Sequence, residues 1–235
     1  MSRLTLIASL LLGLSSVATA SESRFAQPPA SDARASVSAA DVWAPPVSTQ
    51  LRIAPRRLPD RATVRAALAK ARATNLAAFR VYQNKGVFPN NTFERDKLNV
   101  WLDEDGNFCA AATIIKLSGM DDLVTKVAEQ NNFIRLADVK QGPLMNWILT
   151  SGLTQAEIAA IQEPFMPVMR TPVEPQQPIL VDTKLRDGED ARLRAKYRTV
   201  DRMIVKNTKT SLDAATDRLM KFPSLARQLV DSLEG

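Results

Sequence analysis

Histidine is absent from all 235 residues of the chain, and this absence excludes more chemistry than any residue that is present. Without an imidazole, neither a Ser-His-Asp triad nor a Cys-His pair can form within the chain. The usual zinc sites are excluded as well, because a single cysteine cannot supply the missing ligands. Any metal ion would have to be a hard cation held by carboxylates, and we predict no cofactor.

Cysteine and glycine are also scarce. Cys109 is the only cysteine, so the chain forms no internal disulfide and its fold must depend on packing. Eight glycines, without a glycine-rich turn among them, argue against a loop that cradles phosphate groups. The chain is nevertheless long enough to bury a hydrophobic core without covalent cross-links.

Long hydrophobic runs are missing except near the N-terminus. Residues 1–20 carry Arg3, a short apolar stretch, and the small residues Ala18 and Ala20, which is typical of a secretory signal peptide cleaved after Ala20. The apolar stretch is too short to span a membrane, and no other stretch is long and apolar enough. We therefore expect a periplasmic or extracellular protein with no transmembrane segment after signal removal.

Composition divides the remaining chain into four parts. Residues 21–59 are rich in alanine, serine and proline, which is typical of a disordered leader, and Trp43 could anchor it. Residues 60–165 predict a helical core domain, residues 166–184 a proline-rich connector, and residues 185–235 a helical hairpin or clamp. Charge divides the chain at other points: residues 21–86 carry a net charge of +7, residues 87–165 of −5 and residues 166–235 of +3, so an acidic middle lies between basic flanks.

Helix signals dominate the core and the C-terminal part. A long helix is predicted over residues 61–85, with Asp60 as its N-cap and Gly86 at its end. Further helices are predicted at residues 107–117 and 120–130, after Pro143, after a Thr154–Glu157 capping box, and at residues 189–206, 211–221 and 224–233. Residues 97–108 predict a short strand and an Asp-Gly turn. The predicted fold class is mainly α: a compact multi-helix core with one short β element, plus a helical C-terminal appendage.

Cys109 allows three interpretations. With Asn107 as the N-cap, the thiol would lie in the first turn of a helix, where backbone N–H groups favour a thiolate. That position would suit a catalytic or redox-responsive thiol, and a bridge to another chain is a second interpretation. The alanines and isoleucines that follow favour the third, a buried core residue, because free cysteine is among the most buried residue types.

The sequence DEDGN, residues 103–107, places Asp103 and Asp105 beside a glycine, as calcium loops do. The EF-hand spacing fails, because its glycine and final glutamate positions hold Phe108 and Ile114. Asp103 and Asp105 therefore remain metal candidates only for a calcium turn of another kind, and the favoured interpretation is a solvated acidic hairpin turn. A hydrolase that uses carboxylates alone also stays open, provided that two of them face one cleft.

Four basic residues recur at every fourth position of a predicted helix, and we call this set the basic ridge: Arg194, Arg198, Arg202 and Lys206. Like charges at this spacing repel one another by roughly 0.2–0.5 kcal/mol per pair. An anionic partner would relieve the repulsion, as would docking on the acidic middle of the chain, whereas a solvated surface requires neither. The expected partner is a protein or an anionic component of the cell envelope. Export and the lack of interleaved aromatic residues argue against nucleic acid, and a homodimer is open.

The segments GVFPNN, DEDGNFCAAATII, NNFIRLADV and SGLTQAEIAAIQEPF resemble those of an uncharacterised family of exported bacterial proteins. This resemblance spans about residues 80–167 and implies no reaction and no catalytic residue. Together, the observations predict an exported, non-enzymatic binding or assembly module of the cell envelope that engages an anionic partner through its basic flanks. The alternative is a thiol-dependent enzyme or a redox-responsive protein that uses Cys109.

Overall fold

Helices account for most of the residues that the computed structural model describes, which are 58–169 and 180–234. These residues form eight α-helices: α1 (Arg61–Lys85), α2 (Ala110–Leu117), α3 (Asp121–Gln130), α4 (Pro143–Thr150), α5 (Gln155–Ile161), α6 (Thr183–Lys206), α7 (Thr208–Leu219) and α8 (Pro223–Glu234). A 3₁₀ turn, Leu136–Asp138, precedes α4. The mainly α fold class is thus confirmed. The predicted signal peptide, nearly all of the leader with Trp43, and the central part of the connector lie outside the described residues.

Helix α1 begins and ends where the sequence predicts. The carboxylate of Asp60 accepts a hydrogen bond from the backbone N–H of Thr63 at 2.9 Å, which satisfies one of the free donors of the first turn. Gly86 ends the helix with a φ of 64°, a left-handed conformation that glycine adopts without steric cost. These local signals fix both ends of a 25-residue helix.

A hydrophobic cluster to which each of the eight α-helices contributes forms the core of the described residues. Helix α1 packs against α2, α6, α7 and α8, so it lies at the centre of the arrangement. Phe79 of α1 meets Tyr197 of α6 edge to face, with 5.6 Å between the ring centroids. Helices α6 to α8 therefore share one core with the residues that precede the connector.

Two local predictions around residue 107 differ from the structure. Asn107 does not cap α2, because its backbone N–H and its side-chain amide both donate to the Asp103 carboxylate. Cys109 is the N-cap instead, and its sulfur accepts a hydrogen bond from the N–H of Ala112 at 3.4 Å. Helix α2 consequently begins at Ala110, three residues later than predicted.

The predicted strand does not form as a strand in the described residues, which contain isolated bridges only. Leu98 pairs with Phe165, whereas Leu102 pairs with Phe108. The side chain of Asn132 also bonds both backbone polar groups of Leu102, at 2.9 and 2.8 Å. Since each part of the segment has a different partner, no continuous ladder develops.

The remaining helix signals hold with shifted boundaries. Pro143 opens α4 at a first-turn position, and the Thr154–Glu157 capping box opens α5 with both of its hydrogen bonds formed. Helix α6 begins at Thr183, earlier than predicted, because Asp182 accepts hydrogen bonds from two N–H groups of its first turn. No helix among the described residues is both long and apolar enough to cross a membrane.

Candidate functional site

Cys109 lies sealed in the core, with 1% of its surface exposed. Burial raises the pKa of its thiol to about 12, although the backbone N–H groups of α2 pull that pKa in the opposite direction. The buried hydroxyls of Tyr82 and Tyr197 lie close to it, and burial also raises the pKa of each phenol. At neutral pH the sulfur is therefore a protonated thiol that caps a helix inside the protein.

The acidic turn is held together by its own carboxylates. Asp103, only 5% exposed, accepts hydrogen bonds from the backbone N–H groups of Asn90, Asp105 and Asn107, at 2.9, 3.1 and 2.7 Å. Asp105 accepts a bond from the Asn90 side chain at 3.1 Å. Asp103 is thus not solvated, contrary to one of the two interpretations. No group of three or more metal-ligating side chains occurs within the described ranges, and the two carboxylates act as structural acceptors.

A buried ion pair that the sequence did not reveal lies between α1 and α5. The guanidinium of Arg72 donates to both carboxylate oxygens of Glu157, at 2.7 and 3.0 Å, and the two residues are 2% and 4% exposed. Arg72 also donates to the carbonyls of Gly152 and Ile204, at 3.0 and 2.8 Å. The hydroxyl of Ser211 donates to Glu157 at 2.8 Å. We call Arg72, Glu157 and Ser211 the polar centre.

The polar centre joins three parts of the fold. Burial alone would raise the pKa of Glu157, but hydrogen bonds from Arg72, from the Thr154 N–H and from Ser211 outweigh it and lower that pKa. Because Arg72 follows Leu68 and precedes Leu76 at helical spacing, its place on the buried face of α1 was readable from the sequence. Its ion-pair partner Glu157, 85 residues further along the chain, could not be identified from the sequence.

The basic ridge lies on the exposed side of α6, with all four of its side chains exposed. Arg194 donates to the carbonyl of Gly86 at 3.1 Å and lies 5.7 Å from the ring centroid of Phe88. Arg202 donates only to the hydroxyl of Thr199, at 3.1 Å. The side chains of Arg198 and Lys206 form no hydrogen bond or ion pair with any residue of the described ranges.

Two carboxylates at α6, those of Glu163 and Asp201, pair with cations outside the ridge. Glu163 pairs with Arg192 at 2.6 Å and with Lys196 at 3.3 Å. Asp201 pairs with Arg80 of α1 at 3.1 Å. Helix α6 therefore does dock on the acidic middle of the chain, but it does so through Arg192 and Lys196. Three ridge cations, Arg198, Arg202 and Lys206, stay without a carboxylate among the described residues.

Comparison of the chain with models of protein families, with curated proteins and with solved structures gave no match. What the protein does must therefore follow from its own residues and their geometry.

Proposed function

We propose that the protein is an exported, non-enzymatic binding or assembly module of the cell envelope, which engages an anionic partner through the basic ridge. The observation that carries the proposal is the state of Arg198, Arg202 and Lys206. All three are exposed, and none forms an ion pair with a described residue. Their charges do not serve the packing of the fold, so they are free to meet a partner.

The spacing of the ridge supports an extended contact. Lys206 lies eight residues after Arg198 on the helix, a distance of about 12 Å at 1.5 Å per residue. The repulsion between successive ridge cations persists in the folded chain, because Asp201, the one acidic residue between Arg198 and Lys206, pairs with Arg80 of α1. A partner that presents several carboxylates or phosphates along this length would remove the repulsion, and arginine binds such groups through paired hydrogen bonds.

Nothing in the geometry favours a thiol function. A nucleophilic cysteine has to reach its substrate as a thiolate, whereas Cys109 is buried and its pKa is raised to about 12. A second function based on the sulfur is therefore not proposed. The proposed module works through charge and shape on its surface.

Affinity capture from envelope extracts tests the proposal. The full chain is used as bait at low salt, about 0.05 M, and at high salt, about 0.5 M, where charge interactions between exposed groups are screened. The ridge variant carries Arg198→Gln, Arg202→Gln and Lys206→Gln. We expect a partner that binds at low salt, dissociates at high salt, and binds the ridge variant at least about tenfold more weakly, since three charged contacts are lost.

A control variant separates the ridge from net charge. Lys126→Gln, Lys140→Gln and Lys221→Gln remove the same number of charges at exposed positions outside α6. This variant should bind like the unmodified chain. Absence of any partner at low salt, or equal weakening by the two triple variants, would contradict the proposal. Vesicles of anionic lipid, tested in parallel, distinguish a lipid headgroup layer from an acidic protein.

A further inference from the structure

A cavity of about 240 Å³ lies between α4, α5 and α7, and none of its lining residues belongs to the basic ridge. Its walls are mostly apolar and come from Ile148, Leu149, Leu153, Ala156, Ala214 and Ala215. The polar groups at its edge belong to Thr154, Gln155 and Arg218. An apolar cavity with a few convergent polar groups is the usual form of a small-molecule site.

Arg218 is the charged group of this cavity, and it lacks a charged partner. Its guanidinium donates to the side-chain carbonyl oxygen of Gln155 at 3.2 Å, and the sulfur of Met145 lies 3.5 Å away. The neighbouring acids of α7 are occupied elsewhere, since Asp213 pairs with Arg65 at 2.7 Å and Asp217 pairs with Arg61 at 2.8 Å. Within the described part of the chain, Arg218 has no carboxylate at ion-pair distance.

Gln155 holds Arg218 in this position. The side-chain amide nitrogen of Gln155 donates to the backbone carbonyls of Leu136, Ala137 and Val139, at 2.9, 3.2 and 2.7 Å. Those bonds leave its carbonyl oxygen to accept the bond from Arg218. The guanidinium is therefore oriented at the edge of the cavity before any ligand arrives, which lowers the entropic cost of binding.

We propose that this cavity binds a small monocarboxylic acid with an aliphatic chain. The carboxylate pairs with Arg218, and the chain fills the space between the apolar side chains of α4, α5 and α7. At roughly 30 Å³ per non-hydrogen atom, about eight such atoms fit the volume, which is the size of hexanoate. The guanidinium recognises the carboxylate by two parallel hydrogen bonds, and the walls select a chain without polar groups. This site is separate from the basic ridge, so an experiment can contradict one of the two proposals and leave the other standing.

The test is a titration of the full chain with sodium hexanoate, followed by NMR of the backbone amides. Shift changes should centre on the start of α5 and the end of α7, with a dissociation constant on the order of 1 mM, as expected for so small a ligand. Arg218→Gln should weaken binding at least about tenfold, because a charged hydrogen-bond pair is lost. Lys209→Gln, an exposed change on the same helix, should not affect it.

A second variant tests the cavity itself and does not disturb the core. Ala214 lines the cavity and is exposed, so Ala214→Leu should fill the space, leave the fold intact and abolish binding. Ala77→Leu, at an exposed position of α1, is the matched control and should bind normally. No shifts near Gln155 and Arg218, or equal binding by all variants, would overturn the proposal.

Ligand variants complete the assignment. Hexan-1-ol, which lacks the carboxylate, and acetate, which lacks the chain, should each bind at least about tenfold more weakly than hexanoate. Equal binding by acetate would overturn the proposal, because it would mean that the surface merely attracts anions.

Discussion

Arg72 and Arg198 are both arginines on long helices of the same core, yet their surroundings have nothing in common. Arg72 is 2% exposed and meets a carboxylate and two backbone carbonyls. Arg198 is exposed, and its side chain forms no hydrogen bond or ion pair with a described residue. A buried charge must be compensated by the fold, because desolvation without a partner costs several kcal/mol, whereas an exposed charge is hydrated by water.

This difference separates what holds the protein together from what it can offer a partner. The polar centre joins α1, α5 and the start of α7, so its charges help to hold the fold together. Three cations of the ridge, Arg198, Arg202 and Lys206, add repulsion along α6 and form no ion pair within the described residues. Stability should consequently depend strongly on the polar centre and hardly at all on the ridge, while binding should show the reverse.

Breaking the polar centre should have the largest effect on stability. Arg72→Met leaves the Glu157 carboxylate buried without its cation, and we expect a loss of about 3–5 kcal/mol in the free energy of unfolding. Denaturant unfolding followed by circular dichroism measures it. Glu157→Leu should cost a similar amount, because it leaves Arg72 unpaired.

The double variant sharpens this result. Arg72→Met combined with Glu157→Leu removes both charges together, so neither is left buried and alone. It should be more stable than either single variant, although the lost cap of α5 keeps it below the unmodified chain. If the two losses simply added, the pair would not act as a unit.

Gly152→Ala should have the next largest effect, since Gly152 packs directly against α1 beside the polar centre. A Cβ atom there would lie 2.1 Å from the carbonyl oxygen of Leu68 and 2.7 Å from the backbone nitrogen of Arg72. The φ of 73° also disfavours any side chain. We expect a loss of about 2–4 kcal/mol from strain and overpacking. Gly119→Ala, with φ of 84° but open space around it, isolates the backbone part of the cost.

The parts of this structure that could be predicted from the sequence are those whose causes are local. Asp60 and Gly86 lie within a few residues of the helix ends that they fix, and the Thr154–Glu157 box is complete within four positions. The ridge is likewise a local periodicity, and its exposure followed from its place opposite the apolar stripe of α6.

The features that the sequence did not reveal depend on which helix faces meet. Glu157 was assigned a capping role, but its second role requires knowing that α5 packs against α1 at Arg72. Cys109 was missed as an N-cap because sulfur is a weak acceptor and Asn107 is the usual choice. That choice failed because the backbone N–H and the side-chain amide of Asn107 both donate to the Asp103 carboxylate. These hydrogen bonds depend on how the turn folds, which the capping pattern alone does not show.

Reaction with maleimide tests whether the Cys109 thiol, like Arg72, is shielded from solvent in the folded chain. The native chain should react at least about 1,000-fold more slowly at pH 7 than the unfolded chain, because the thiol is buried and its pKa is about 12. Mass spectrometry with and without denaturant measures the ratio. An Ala77→Cys variant in a Cys109→Ala background supplies an exposed thiol as control. Rapid labelling of the native chain would contradict this expectation and would make Cys109 a candidate functional residue.

Acidification should weaken the polar centre but leave the ridge charged. Hydrogen bonds lower the pKa of Glu157 in the folded chain, below its usual value of 4.5. The stability that Glu157 contributes is therefore complete above about pH 4.5 and is lost as the pH falls through the folded pKa. Asp60 and Asp213 act in the same direction, whereas burial raises the pKa of Asp190 and opposes them. Unfolding between pH 7 and 3 should show a shallower loss in Glu157→Gln than in the unmodified chain.

Neutralising the ridge should have the smallest effect on stability. Arg198→Gln, Arg202→Gln and Lys206→Gln remove three like-charge contacts worth roughly 0.2–0.5 kcal/mol each. They also remove the favourable charge of Lys206 at the C-terminal end of α6, worth about 0.3–1 kcal/mol. The two effects nearly cancel, so the free energy of unfolding should change by less than about 1 kcal/mol.

Arg192→Gln, on the same helix, is the variant with which the stability of the triple ridge variant is compared. Arg192 bonds Glu163 at 2.6 Å and Glu189 at 2.7 Å, and Glu189 is only 4% exposed. Its loss leaves a buried carboxylate without its cation, so we expect about 1–3 kcal/mol of destabilisation, clearly more than the triple ridge variant. Equal losses in the two variants would mean that the ridge has a partner within the folded chain, and the proposed binding surface would then be part of the fold itself.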